Sequence, residues 1–221
     1  MINWALAKEM VAVGRRLYER GLIVATEGNY SMRIDNYRLF ATPKGFSKGE
    51  LSVDDIVSID MNGNRLTGKH DVSSEIALHL EVYRQRPEVQ AVIHAHPPYC
   101  IALMMAGESL DKPLLAESVI MLGKVPTAKF ALPSTPEVSQ SILPYIRRTD
   151  CILLDCHGSL TVGSSLKEAL DKLELMEHAA KSYLAALRIG PVKELSKEKI
   201  EALMELREKR YKINWPIIPF Y

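Results

Sequence analysis

The chain has 221 residues, 47% of them hydrophobic and 25% charged, with a formal net charge of +1. That length and balance suit a single globular domain over residues 1–221 and exclude a disordered chain, and a charge so near zero gives no general handle for nucleic acid or an anionic membrane. Three scattered cysteines, Cys100, Cys151 and Cys156, make no disulfide framework, and the opening MINWALAKEM lacks the basic start and apolar core of a signal peptide; with no apolar run near the roughly 20 residues of a membrane helix, a reduced cytoplasm is the expected compartment.

Leu6, Met10, Val13 and Leu17 recur at helical spacing and predict an amphipathic helix ending near Gly21. Tyr30, Met32 and Ile34 then alternate with polar residues and lead through Asp35-Asn36 to Leu39-Phe40, which reads as a hairpin. Ile56, Val57 and Ile59 mark a further strand before the tight-turn pair Asn62-Gly63. Ser73 reads as the N-cap of a helix with its apolar stripe at Ile76, Leu80 and Tyr83, which places Glu75 in the first turn. Val89 to Ile93 predicts a strand running into His94-Ala95-His96, Pro136 to Ile146 a helix, and Cys151 to Leu154 a short strand running into His157-Gly158. Leu166 to Leu187 predicts a long helix, and a last one starts at Ser196 and runs to about Tyr211. The apolar tail Trp215 to Tyr221 is expected to pack on its own domain or a neighbour. Strands and helices mix without strict alternation, so the expected fold is α/β, a central mixed, largely antiparallel sheet flanked by helices.

Residues i and i+2 of a strand share a face, so His94 and His96 at a strand end can reach one metal ion. His157, past a second short strand, completes the three-histidine set of a catalytic zinc site, and Gly158 beside it allows a sharp turn. His70, His79 and His178 have no partner at metal-ligand spacing and read as satisfied or solvated histidines. The turns Gly28-Asn29 and Lys44-Gly45, and Ser73-Ser74 before a helix, offer backbone N–H groups and hydroxyls suited to a phosphate.

The ordered series Thr26-Glu27-Gly28-Asn29-Tyr30-Ser31, Thr42-Pro43-Lys44-Gly45, Ser73-Ser74-Glu75, His94-Ala95-His96 and His157-Gly158 resembles the class II aldolase/adducin head family, closest to its L-fuculose-1-phosphate aldolase branch. The resemblance covers almost the whole chain. It implies a homotetramer with sites near subunit interfaces, one Zn2+ per subunit on His94, His96 and His157, and Glu75 both as ligand to the empty metal and as acid/base with substrate. It also implies phosphate contacts at Gly28, Asn29, Gly45, Ser73 and Ser74. Lys44 replaces a threonine of the fuculose enzymes and adds a point charge there. A family tyrosine that handles the aldehyde oxygen matches Tyr211; a second, in the segment after the paired histidines, is replaced by Glu117.

Three functions follow. The first is reversible cleavage of a phosphorylated ketose to dihydroxyacetone phosphate and an aldehyde. The second is a sister reaction on the same scaffold, a methylthioribulose-1-phosphate dehydratase or a pentulose-phosphate 4-epimerase; Glu117 leans toward the dehydratase, and Glu75 in place of aspartate leans away from the epimerase. The third is a metal-free interaction module, against which the joint presence of His94, His96, His157 and Glu75 argues.

Overall fold

A computed structural model describes residues 4–221. Among them, eight strands form one sheet in the order β4-β3-β2-β1-β5-β8-β7-β6. The strands are β1 (Asn29–Arg33), β2 (Arg38–Ala41), β3 (Val57–Asp60), β4 (Arg65–Thr67), β5 (Ala91–Ala95), β6 (Thr127–Ala128), β7 (Cys151–Leu154) and β8 (Gly158–Gly163). All neighbours pair antiparallel except β6 and β7, which run parallel. The fold is therefore the mixed, largely antiparallel sheet that the sequence predicts.

Helices cover both faces: α1 (Trp4–Glu19), α2 (Ile76–Gln85), α3 (Pro98–Met105), α4 (Ala116–Met121), α5 (Pro136–Ser141), α6 (Leu166–Ile189) and α7 (Lys197–Lys209). Period-2 alternation sorts the strand residues into two cores. Ala91, Ile93 and Ala95 of β5 pack with Met10, Leu17, Leu103, Leu170 and Met176 of α1, α3 and α6. Val92, between them, packs with Leu78, Val82, Val138 and Leu160 on the α2 and α5 side. His94 has the parity of Val92, so the strand's own alternation turns it toward α2, the helix that follows Glu75. Full burial of a Leu or Ile in either core is worth about 1.5–3 kcal/mol.

The helix after Ser73 starts later than the sequence suggests. Ser73 Oγ accepts from the Glu75 amide at 3.3 Å and Ser73 O from the Ile76 amide at 3.1 Å, so a turn precedes the helix. Glu75 is the N-cap rather than a first-turn residue, with φ −97° and ψ 12°. The helix predicted over Pro136 to Ile146 stops at Ser141, because Pro144 has no N–H to donate and the chain continues in short turns. The apolar tail packs on its own chain: Trp215 Nε1 donates to Met121 O at 2.9 Å, Lys124 N to Ile218 O at 2.9 Å, and Phe220 is buried.

Candidate functional site

The pairing of β1, β5 and β8 builds the site. Asn29 lies across from His94, and Ala95 lies across from Ser159. His157 ends the turn between β7 and β8, where Cys156 takes φ +50° and the His157 amide donates to Leu154 O at 3.0 Å. The sequence suggests a turning role for Gly158; the structure gives it a packing one. A Cβ there would lie 2.4 Å from Ala95 O and 3.0 Å from the His96 ring, so only glycine lets β8 approach the paired histidines this closely.

The three imidazoles converge, each offering a nitrogen within 4.8 Å of the others'. Their second nitrogens fix which atoms point inward. His94 Nδ1 donates to Ser159 O at 2.9 Å, and His96 Nδ1 donates to the Glu27 carboxylate at 3.0 Å. Both partners only accept, so each Nδ1 carries the proton and each Nε2 presents a bare lone pair. Those two Nε2 atoms face one another at 3.0 Å. Two lone pairs at that distance repel unless a cation sits between them, so the donor set fits a metal ion. Backbone carbonyl and carboxylate partners of this kind are how metal-bound histidines are held.

Glu75 closes the open side. Its Oε2 is 3.3 Å from His94 Nε2 and its Oε1 is 3.4 Å from His157 Nε2. Asn29 Nδ2 donates to Oε2 at 3.0 Å. Oε1 is buried and, among the described residues, has no hydrogen-bond partner. Burial pushes this carboxyl up, but the hydrogen bond and charge that His94 offers once protonated in acid, the charge that His157 then offers, and the Asn29 amide outweigh it and hold its pKa at about 2. Burial also drives His96 down to about 4 and lowers His157, so both rings are neutral at neutral pH.

The turns expected to meet phosphate gather around Glu75. Pro43 bridges Val72, Lys44 N donates to Asp71 O at 2.8 Å, and Ser73 N to Thr42 O at 3.3 Å. Ser73 and Ser74 thus adjoin the Thr42–Gly45 turn, and Asn29 adjoins both through Glu75. Gly45 takes φ +76° with open space where a Cβ would be, and Gly28 takes φ +66° with its Cβ direction blocked by Ile23 and His94 O. Lys44 is exposed. Ser74 Oγ lies 3.0 Å from Ser134 Oγ, and Glu75 and Ser134 share a cavity of about 180 Å3. A roomier cavity of about 370 Å3, between α6 and the segment before α4, contains none of the histidines.

Tyr211 and Glu117 are not brought to this cluster. Both are exposed, Tyr211 just past α7 and Glu117 on α4, and neither forms a hydrogen bond or ion pair with the histidines of its own chain. Two residues of the site receive no role from the sequence, although Glu27 lies in the Thr26 to Ser31 motif. Glu27 orients His96 from 69 positions away. Lys48, 2% exposed, donates to Thr26 O at 2.5 Å and holds the turn that carries Glu27. Burial pushes the Lys48 ammonium down to about 8, against the pull of Glu75 and Glu27.

The sequence matches the Class II Aldolase and Adducin N-terminal domain family over residues 8–184. It is 35% identical over 188 residues to a 3-oxo-tetronate 4-phosphate decarboxylase of Haemophilus influenzae, covering 83% of this chain and 89% of that one. It is 34% identical over 174 residues to an L-fuculose phosphate aldolase of Methanococcus vannielii, covering 79% and 93%. A solved L-fuculose 1-phosphate aldolase superposes with a TM-score of 0.84 at 30% identity, covering 93% of this chain and 97% of that one. No helix of the described residues is long and apolar enough to cross a membrane. A match over most of the chain, with the histidines and Glu75 assembled as one site, makes this protein a member of the class II aldolase and adducin N-terminal domain family.

Proposed function

We propose that the chain is a zinc-dependent lyase that cleaves a carbon–carbon bond in a phosphorylated ketose of the L-fuculose 1-phosphate kind, releasing dihydroxyacetone phosphate and an aldehyde. The observation that carries this reading is the convergence of three imidazoles with Glu75 at 3.3 and 3.4 Å from two of them. His94, His96 and His157 would hold the ion, which when bound supplies Lewis-acid polarisation of a substrate carbonyl. The chain's own residues supply the rest. Glu75 moves a proton at the donor carbon, as a buried carboxylate within reach of that carbon can. Gly28, Asn29, Gly45, Ser73 and Ser74 hold the phosphate with neutral donors, and Lys44 adds charge at the rim. Remote phosphate binding fixes the reacting carbon over the site. Tyr211, exposed in its own chain, reaches a neighbour's site in a homotetramer and takes up the proton of the hydroxyl that becomes the aldehyde oxygen, returning it in the reverse reaction.

One observation favours a second reading. Losing an aldehyde requires a base for the hydroxyl that becomes the carbonyl, whereas losing CO2 from a 3-oxo acid does not. The segment from Leu110 to Leu122 carries no tyrosine, and a relative at 35% identity is named a 3-oxo-tetronate 4-phosphate decarboxylase. Both reactions leave the same carbanion beside a carbonyl. Incubating the zinc-loaded enzyme with L-fuculose 1-phosphate and with 3-oxo-tetronate 4-phosphate separates them. Dihydroxyacetone phosphate with lactaldehyde is the expected outcome for the first substrate; release only from the second, with CO2, moves the assignment to the decarboxylase. Release from neither contradicts both.

A further inference from the structure

Behind Glu75 and Asn29 runs a chain of buried polar side chains, His79, Ser31 and Tyr83, that the reaction as proposed does not use. Glu75 Oε2 accepts from Asn29 Nδ2 at 3.0 Å. Asn29 Oδ1 lies 2.6 Å from His79 Nε2, His79 Nδ1 lies 2.7 Å from Ser31 Oγ, and Ser31 Oγ lies 2.9 Å from the Tyr83 hydroxyl. His79, Ser31 and Tyr83 are at most 2% exposed, and Asn29 is 4% exposed. The contacts link β1 to α2 across 46 to 52 positions of sequence.

We propose that His79 is a positioning residue for Glu75, acting through Asn29, and that Ser31 and Tyr83 hold His79 in the one tautomer this requires. The inference rests on Glu75 being the proton-moving group. Its logic is a donor count. An ionised carboxylate only accepts, so Asn29 must turn its amide nitrogen to Glu75 and its amide oxygen to His79. That oxygen only accepts, so His79 Nε2 must carry the proton and Nδ1 must be bare. Nδ1 then accepts the one proton of Ser31, and Ser31 Oγ in turn accepts from Tyr83. All four hydrogen bonds run in one direction, from the Tyr83 hydroxyl to the carboxylate, with no group left to choose. With the wrong tautomer, the Asn29 amide flips and points an oxygen at Glu75. Burial drives the His79 pKa down to about 3, consistent with a neutral ring. The sequence reading of His79 as a satisfied histidine holds for its bonding; the structure adds what its bonding reaches.

The test uses the zinc-loaded enzyme labelled with 15N at histidine. Long-range proton–nitrogen spectra at pH 7 should show His79 neutral and protonated at Nε2. A protonated Nδ1, or an imidazolium, overturns the proposal, and this readout needs no substrate. The second arm compares His79→Gln, whose amide nitrogen can stand where Nε2 donates, with His79→Asn, whose shorter amide cannot reach Asn29. Deuterium exchange into dihydroxyacetone phosphate should fall by about 10- to 100-fold in His79→Asn, a usual cost of losing an outer-shell partner. It should recover to within a few-fold of the parent in His79→Gln, with zinc content equal in both. Parent-level exchange in His79→Asn, or equal losses in the two variants, overturns the proposal. If the parent enzyme itself shows no exchange, the reading of Glu75 as the acid/base fails while the tautomer result still decides whether the relay exists.

Discussion

Two clusters of buried polar side chains sit at opposite ends of the same three strands, and they are built to different standards. At the Ala91, Cys151 and Val162 end, Asp150 accepts from both Arg86 and Lys172. Arg86 also pairs with Glu88, and Lys172 with Glu168 and Val162 O. Every charge there has an opposite partner. At the His94 and Gly158 end, two imidazole lone pairs face each other at 3.0 Å and Glu75 Oε1, among the described residues, has no hydrogen-bond partner. Buried polar groups left short of partners cost about 1–3 kcal/mol each, so the two clusters contribute to stability with opposite sign. The first cluster holds the fold together; the second has a donor set that fits a cation.

Breaking each cluster should give opposite results. Asp150→Ala leaves Arg86 and Lys172 buried without their carboxylate, and urea unfolding should show a loss of about 3–5 kcal/mol. The zinc content of the molecules that remain folded should not change. His94→Ala should do the reverse, with metal and lyase activity falling together by at least about 100-fold, beyond the usual outer-shell loss, while the far-ultraviolet circular dichroism is kept. Stoichiometric zinc with full activity in that variant would remove the histidine cluster from the reaction.

Acid sharpens the contrast. His79 and His96 have folded pKa values of about 3 and 4, below the ordinary histidine value of 6.5. Below pH 6.5 the unfolded chain takes up protons that the folded chain refuses, so stability is full above that pH and falls as the pH drops. The fully buried His79 alone contributes about 1.4 kcal/mol per pH unit. Denaturant midpoints of metal-free protein between pH 7 and 5 should show this slope, and His79→Gln should flatten it by about one proton. The smallest expected effect is at Lys44. As an exposed point charge worth up to about 1 kcal/mol, its replacement in Lys44→Thr should raise the KM for a phosphorylated substrate no more than about 5-fold.

The sequence made one of these clusters legible and hid the other. His94, His96 and His157 declare themselves by residue type and by their place at strand ends. Asp150, Lys172 and Arg86 look like ordinary charged residues, since nothing local says that a lysine on α6 will be 2% exposed. The same limit hid the support of the histidine cluster. Glu27 and His96, and Asn29 and His79, are 69 and 50 positions apart, and only the β1–β5 pairing and the docking of α2 join them. Among the elements, α1 and α6 were readable because one face is apolar and the other is not. Helix α3, PYCIALMM, is apolar on nearly every side and shows no period. Strand β8 is buried at all six residues and flanked by glycines, so it offers no alternation.

X-ray absorption at the zinc edge of the stoichiometrically loaded protein reads which side chains hold the ion. Three imidazole nitrogens at about 2.0–2.1 Å are expected, with the imidazole signal reduced by one ligand in His157→Ala. A sulfur shell near 2.3 Å, which would point to Cys156, or a shell of oxygens without imidazole, would contradict it.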